Sequence, residues 1–244
     1  MKYILLLIIV TSNVFAQKNT TGLITYSKHT VVEKDNQQNI KEDKIANYIN
    51  SEIEKLNEKI EYTLKFNIYS SIFNVVESID KENKMWRICV AGGDGDGVYF
   101  DNIKTKTINR KITPFNKTYF VVKSRSFYNW KLYPNVIKKI GKYTCYKATC
   151  IMVNNVINKK SKNITAWYCP QIPVSFGPVG FSGLPGLILE LNYNNKYIYN
   201  VKYVNLDKKQ NIQFNIPKNG EIIQIEQFEK IMTGVISQRR FNRE

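Results

Sequence analysis

Residues 91–101, AGGDGDGVYFD, set Asp94, Asp96 and Asp101 on a glycine-rich stretch, the hard oxygen ligands that calcium prefers. The spacing departs from the calcium-loop template: Val98 stands where the fifth position counted from Asp94 should offer an oxygen, and the twelfth is not acidic. A glycine loop joining two strands accounts for it equally well. For nucleophilic catalysis the chain lacks a G-x-S-x-G elbow, and its one histidine, His29, sits in an alternating, strand-like segment. Asp101 and Glu190 are carboxylates that would serve glycoside hydrolysis only if the fold brought them together. No CxxC pair accompanies the single histidine, so zinc is not indicated. The motifs therefore assign no catalytic residue, no metal and no cofactor.

Aromatic residues are the more informative class. Trp86, Trp130 and Trp167 stand with sixteen tyrosines and twelve phenylalanines, enough for a bulky core or for the wall of an apolar ligand cradle. Packing is the expectation for most of them. Trp167, Phe176 and Phe181, which flank a proline-rich stretch, are the candidates for a ligand wall.

Four cysteines remain to be placed: Cys89, Cys145, Cys150 and Cys169. Cys145 and Cys150 lie five apart on one strand-like segment, so their side chains leave opposite faces and cannot join. If the polar stretch 154–163 folds that segment back on 164–169, Cys145 comes opposite Cys169, and a Cys145–Cys169 disulfide is expected. Cys89 and Cys150 are then a second pair by elimination, or free buried thiols.

An oxidising compartment is also what the N-terminus indicates. Lys2, the apolar run from Tyr3 to Val10 and Val14-Phe15-Ala16 have the layout of a secretory signal peptide over residues 1–16. That run is shorter than the roughly 20 residues that span a membrane, and no other such segment follows. Residues 17–244 are expected to form a single domain, periplasmic or secreted in a Gram-negative bacterium. The net charge of +16 would favour acidic partners, but lysine and asparagine are scattered along the whole chain and no basic stretch interleaved with aromatics points to nucleic acid.

These residues need elements to hold them. Residues 22–32 alternate as a strand does. Ile45, Ile49, Ile53, Leu56 and Ile60 recur every three or four residues, an amphipathic helix. Short strand-like segments follow at 72–78, 85–90, 98–103, 105–112, 119–123, 129–133, 143–153, 164–169, 187–193, 197–205 and 211–216. Their short connections, Ile140-Gly141 and Asn194-Asn195 among them, make antiparallel neighbours. A helical period returns over 225–236. The expected fold is mainly β (α+β): a large curved antiparallel sheet or half-barrel packed on the N-terminal helix, with a second helix at the C-terminus.

The stretch AWYCPQIPVSFGPVGFSGLPGLILEL, residues 166–191, resembles the signature of the GLPGLI family of exported bacterial proteins, whose hexapeptide falls on Gly183, Leu184, Pro185, Gly186, Leu187 and Ile188. NWKL (129–132), IGKYTCYKAT (140–149) and EQFEKIM (226–232) are similar to its other segments. The family pattern has threonine where this chain has Cys169, so the bridge is a feature of the chain and not of the family. The resemblance implies export, and the family carries no established activity, so it leaves function open. Physically, Pro185 and Gly186 suit the second and third positions of a type II turn. After it, Leu187, Leu189 and Leu191 should share one face of a strand and Ile188 and Glu190 the other.

The function these features favour is an exported, non-enzymatic binding protein with an apolar cradle for a lipid-like or peptide ligand, by analogy with periplasmic lipoprotein carriers. Two alternatives stand beside it. One is an interaction subunit that docks an outer-membrane transporter or secreted partner through residues 170–186; the other is a hydrolase that uses carboxylates.

Overall fold

The computed structural model describes residues 21–31, 43–153, 161–207, 214 and 219–241. The expected signal peptide at 1–16 and almost all of the strand expected at 211–216 lie outside these residues. The described strands join in one sheet in the order β12-β6-β5-β4-β3-β2-β1-β11-β10-β9-β8-β7. They are β1 (Thr21–Thr30), β2 (Glu61–Phe66), β3 (Ser70–Val75), β4 (Val98–Asn102), β5 (Thr107–Ile112) and β6 (Tyr119–Ser124), then β7 (Lys131–Ile140), β8 (Tyr143–Val153), β9 (Ser161–Cys169), β10 (Leu187–Tyr193), β11 (Tyr197–Asp207) and β12 (Glu221–Gln224). Every pairing is antiparallel except β12 with β6. Three helices accompany the sheet: α1 (Asp43–Lys59), α2 (Lys84–Ala91) and α3 (Ile225–Phe241).

The sheet is strongly curved. β6 and β9 stand eight places apart in its order, which in a flat sheet would separate them by nearly 40 Å at about 4.8 Å per strand. Yet Lys123 of β6 and Lys162 of β9 line one cavity.

What fills the curve corrects the expectation of a sheet packed on the N-terminal helix. From α1, Ile53 and Leu56 reach the core while Tyr48 and Ile49 are exposed. The interior is taken by the segment between β9 and β10, which contributes Ile172, Val174, Phe176, Val179, Phe181 and Leu184, all buried. Phe176 packs on Phe66 of β2, and a Cβ on Gly180 would meet Tyr99 of β4 at 2.7 Å. The segment thus crosses the hollow of the sheet as a plug.

Residues 85–90, expected as a strand, are helical. Asn83 caps α2, its Oδ1 accepting from the backbone N–H of Met85 at 2.8 Å and of Trp86 at 3.3 Å, and the buried Trp86, Cys89 and Val90 follow helical spacing. A short apolar run carries no period of its own that separates helix from buried strand. The fully buried Lys28 of β1 closes the other end of α2: its ammonium donates to the carbonyls of Cys89, of Val90 at 3.3 Å and of Gly92 at 2.7 Å. These carbonyls lie at the C-terminal end of α2, where an α-helix runs out of its own donors.

Two details of the plug differ from expectation. The turn at Pro185 is tighter than type II, since the Gly186 N–H donates to the Leu184 carbonyl at 2.8 Å and the Leu187 N–H to Ile172 at 3.0 Å. The register of β10 against β9 slips between Ile188 and Glu190, so strict alternation fails and Leu187, Ile188 and Leu189 are all buried.

Candidate functional site

A cavity of about 200 Å³ lies where the two arms of the curved sheet approach each other. Tyr99, Arg110, Val121 and Lys123 face it from β4, β5 and β6, and Met152, Lys162 and Tyr193 from β8, β9 and β10. Val179 and Phe181 of the plug form its floor, and Phe228, Glu229 and Met232 of α3 cover it. Val179 holds φ at 46°, a conformation that β-branched residues avoid. Gly180 beside it, at φ 73°, completes the reversal.

The polar side of the cavity is organised by Asp94. Its carboxylate meets Arg110 at 3.2 Å and Lys162 at 3.8 Å and accepts a hydrogen bond from the Tyr193 hydroxyl. Burial alone would raise this carboxyl; Arg110, Lys162 and Tyr193 outweigh burial and hold it at about 2. Arg110 also pairs with Asp96 at 2.7 Å, so the acidic loop considered for calcium is committed to a guanidinium. Among the described residues no cluster of three or more His, Cys, Asp or Glu is placed to hold a metal ion.

Lys123 differs from the other cations. It makes no ion pair among the described residues and donates to the Tyr128 hydroxyl, with its ammonium 4.5 Å from that ring's centroid. Burial lowers its pKa to about 8.

The sequence-derived candidates do not form one wall. Phe181 is at the site, stacked on Tyr128 at 4.5 Å and edge-on to Tyr193 at 6.1 Å. Phe176 is fully buried between Phe66 and the Arg125 guanidinium, and does not line the cavity. Trp167 is half-buried beside Lys138 on β7, away from both rings. Asp101 and Glu190 are held apart in separate ion pairs, Asp101 with Arg125 and Glu190 with Lys138 at 2.5 Å. Arg125 also donates to the Ser175 carbonyl and hydroxyl, at 3.1 and 2.7 Å, and so ties the plug to β4.

The expected Cys145–Cys169 disulfide is not formed: all four cysteines are buried free thiols. The register of β8 on β9 runs from Tyr146 opposite Tyr168, which brings Cys145 against Cys169 one step on. A hydrogen bond from the Cys145 thiol lowers the Cys169 thiol. Cys89 on α2 and Cys150 on β8 are not paired either.

Residues 153–190 match the family Porph_ging, described as a protein of unknown function. The match takes in β9, the plug and the hexapeptide. No curated protein matches the sequence. Among solved structures, PNGF-II in one crystal form is similar with a TM-score of 0.51 and 18% identity over 88% of this chain, and in a second form with 0.49 and 16% over 87%. The chain spans about a third of PNGF-II, 33% and 32% in the two forms. At this identity the likeness is one of fold alone. A LolA superfamily protein from Nitrosomonas europaea aligns with a TM-score of 0.25 at 8% identity, over 83% of this chain and 89% of its own, and lends the lipoprotein-carrier analogy no support. Among the described residues no helix is long and apolar enough to cross a membrane.

Lys123 and Lys162 carry no motif. Other lining residues fall in stretches the sequence singles out, Asp94 in the acidic loop, Phe181 beside the hexapeptide and Phe228, Glu229 and Met232 in EQFEKIM, but nothing in the sequence brings these stretches together.

Proposed function

We propose that the protein is an exported, non-enzymatic binding protein of the GLPGLI type whose ligand sits in the cavity beneath α3, and not in an open apolar cradle. One observation supports this above the rest: the plug fills the hollow that a cradle would need, yet leaves a partly enclosed space with aromatic and aliphatic walls and a charged side. Docking through 170–186 is disfavoured because most of that segment is buried, with Gln171, Pro173, Gly183 and Pro185 among its few exposed residues.

Native mass spectrometry of protein recovered from its own envelope is the test. A bound small molecule should be present in the wild type and absent from Val121→Phe, which fills the cavity from β6, while the melting temperature changes little. Retention of the molecule by the filled variant would place it elsewhere.

A second reading, carboxylate hydrolysis, has one observation in its favour: Asp94 and Glu229 share the cavity, and burial raises Glu229 while Asp94 stays low. Binding is preferred because both Asp94 oxygens are engaged, by Arg110 and by Tyr193. Cleavage of a chromogenic glycoside that disappears in Glu229→Gln would reverse that preference.

Export carries a chemical consequence. In an oxidising compartment a disulfide-bearing oxidant takes two electrons from the adjacent Cys145 and Cys169 thiols, and the bridge forms with release of two protons. Peptide mapping without reduction should recover the two cysteine peptides joined; recovery of both as alkylated thiols would refute the bridge. Its formation should add about 2–4 kcal/mol of stability.

A further inference from the structure

We infer that the ligand is a small amphiphilic monoanion, a carboxylate of about ten heavy atoms, whose head group pairs with the Lys123 ammonium. This rests on the cavity being the binding site and adds the chemistry of what fills it. Three cations, Arg110, Lys123 and Lys162, line the space, and Arg110 and Lys162 both face Asp94, which leaves Lys123 as the one of the three without an ion pair among the described residues.

Geometry says which cation it is. Arg110 is spent on Asp94 at 3.2 Å and Asp96 at 2.7 Å. Lys162 lies 3.8 Å from Asp94 and donates to the Tyr193 hydroxyl at 2.6 Å. Lys123 makes one hydrogen bond, to the Tyr128 hydroxyl, and otherwise lies over the Phe127, Tyr128 and Phe181 rings, whereas an ammonium can donate three hydrogen bonds. An ammonium partly withdrawn from water, with Asp94 and Asp101 near but neither in direct contact, is costly, and a ligand carboxylate supplies both the close charge and the acceptors. Glu229 on the covering helix disfavours a second negative charge.

The remaining walls call for hydrocarbon. Val121, Met152, Val179, Phe181, Phe228 and Met232 supply the apolar part of the lining. Two of them are methionines, whose unbranched side chains adapt to an occupant. An apolar cavity of about 150 Å³ accepts benzene, so about 200 Å³ suits a few atoms more.

Octanoate and 1-octanol share a chain and differ in charge, which makes calorimetric titration with the two decisive. Octanoate should bind at least about tenfold more tightly than octanol. Lys123→Met should abolish that difference without weakening octanol, and Lys123→Arg should keep it. Octanol binding in the variants also reports that the cavity has folded. Equal binding of the two probes, unchanged in Lys123→Met, would overturn the assignment of charge and leave the cavity reading intact. Binding of neither probe to the wild type would overturn both.

Discussion

Gly186→Ala should cost about 3–5 kcal/mol of unfolding free energy, more than any truncation of the plug's exposed residues. Gly186 holds φ at 153°, outside the range that side chains tolerate, and a Cβ there would stand 2.4 Å from the Cys169 carbonyl oxygen and 2.7 Å from the Pro170 nitrogen. Those neighbours are backbone, and cannot rotate away. The clash falls where β9 leaves the sheet and β10 enters it, so it would lift the plug from the hollow. Urea unfolding measures the loss, and a change below about 1 kcal/mol would show that the plug can shift without cost. Gly183→Ala is the control: it also has positive φ, 93°, but nothing lies closer than 3.9 Å to the added Cβ, so it should cost no more than about 1–3 kcal/mol.

Lys28→Met should be nearly as damaging, about 3 kcal/mol, because it removes the donor that the buried Cys89 and Val90 carbonyls and the half-buried Gly92 carbonyl share at the end of α2. The pH dependence identifies the cause. Burial lowers the Lys28 pKa to about 7 from an ordinary 10.5, so between these values the unfolded chain binds more protons than the folded one. The wild type should therefore gain stability from this group as pH rises from 7 toward 10, and below pH 7 should bear the whole cost of burying the charge. In Lys28→Met that rise should vanish. Equal slopes in the two proteins would mean that Lys28 keeps its ordinary affinity for protons in the fold.

What could be read from the chain was local. β10 occupies Leu187–Tyr193 as its composition indicates, and Asn194 and Asn195 take φ of 57° and 54°, the paired positive angles of a tight hairpin. The juxtaposition of Cys145 with Cys169 followed from a simple count around a polar tip. Residues 85–90 misled because a short apolar run fits a buried strand as well as a helix, and the deciding group, the Asn83 cap, precedes the run. Phe176 and Phe181 differ by five residues yet serve a core and a cavity wall, since the strained Val179-Gly180 pair reverses the chain between them. The cavity itself was invisible for a different reason: Asp94, Lys123, Lys162 and Phe228 meet only because the sheet curls, and curvature is a property of twelve strands together.

The chain has four methionines, and two of the three in the described residues, Met152 and Met232, line the cavity while Met85 sits on α2 against another part of the core. Methyl NMR of protein labelled at methionine therefore tests most directly whether the space beneath α3 is a binding site. On titration with octanoate, the Met152 and Met232 resonances should shift together and saturate while Met85 stays fixed. A saturable shift at Met85 alone, or none at Met152 and Met232 while calorimetry shows binding, would contradict the account.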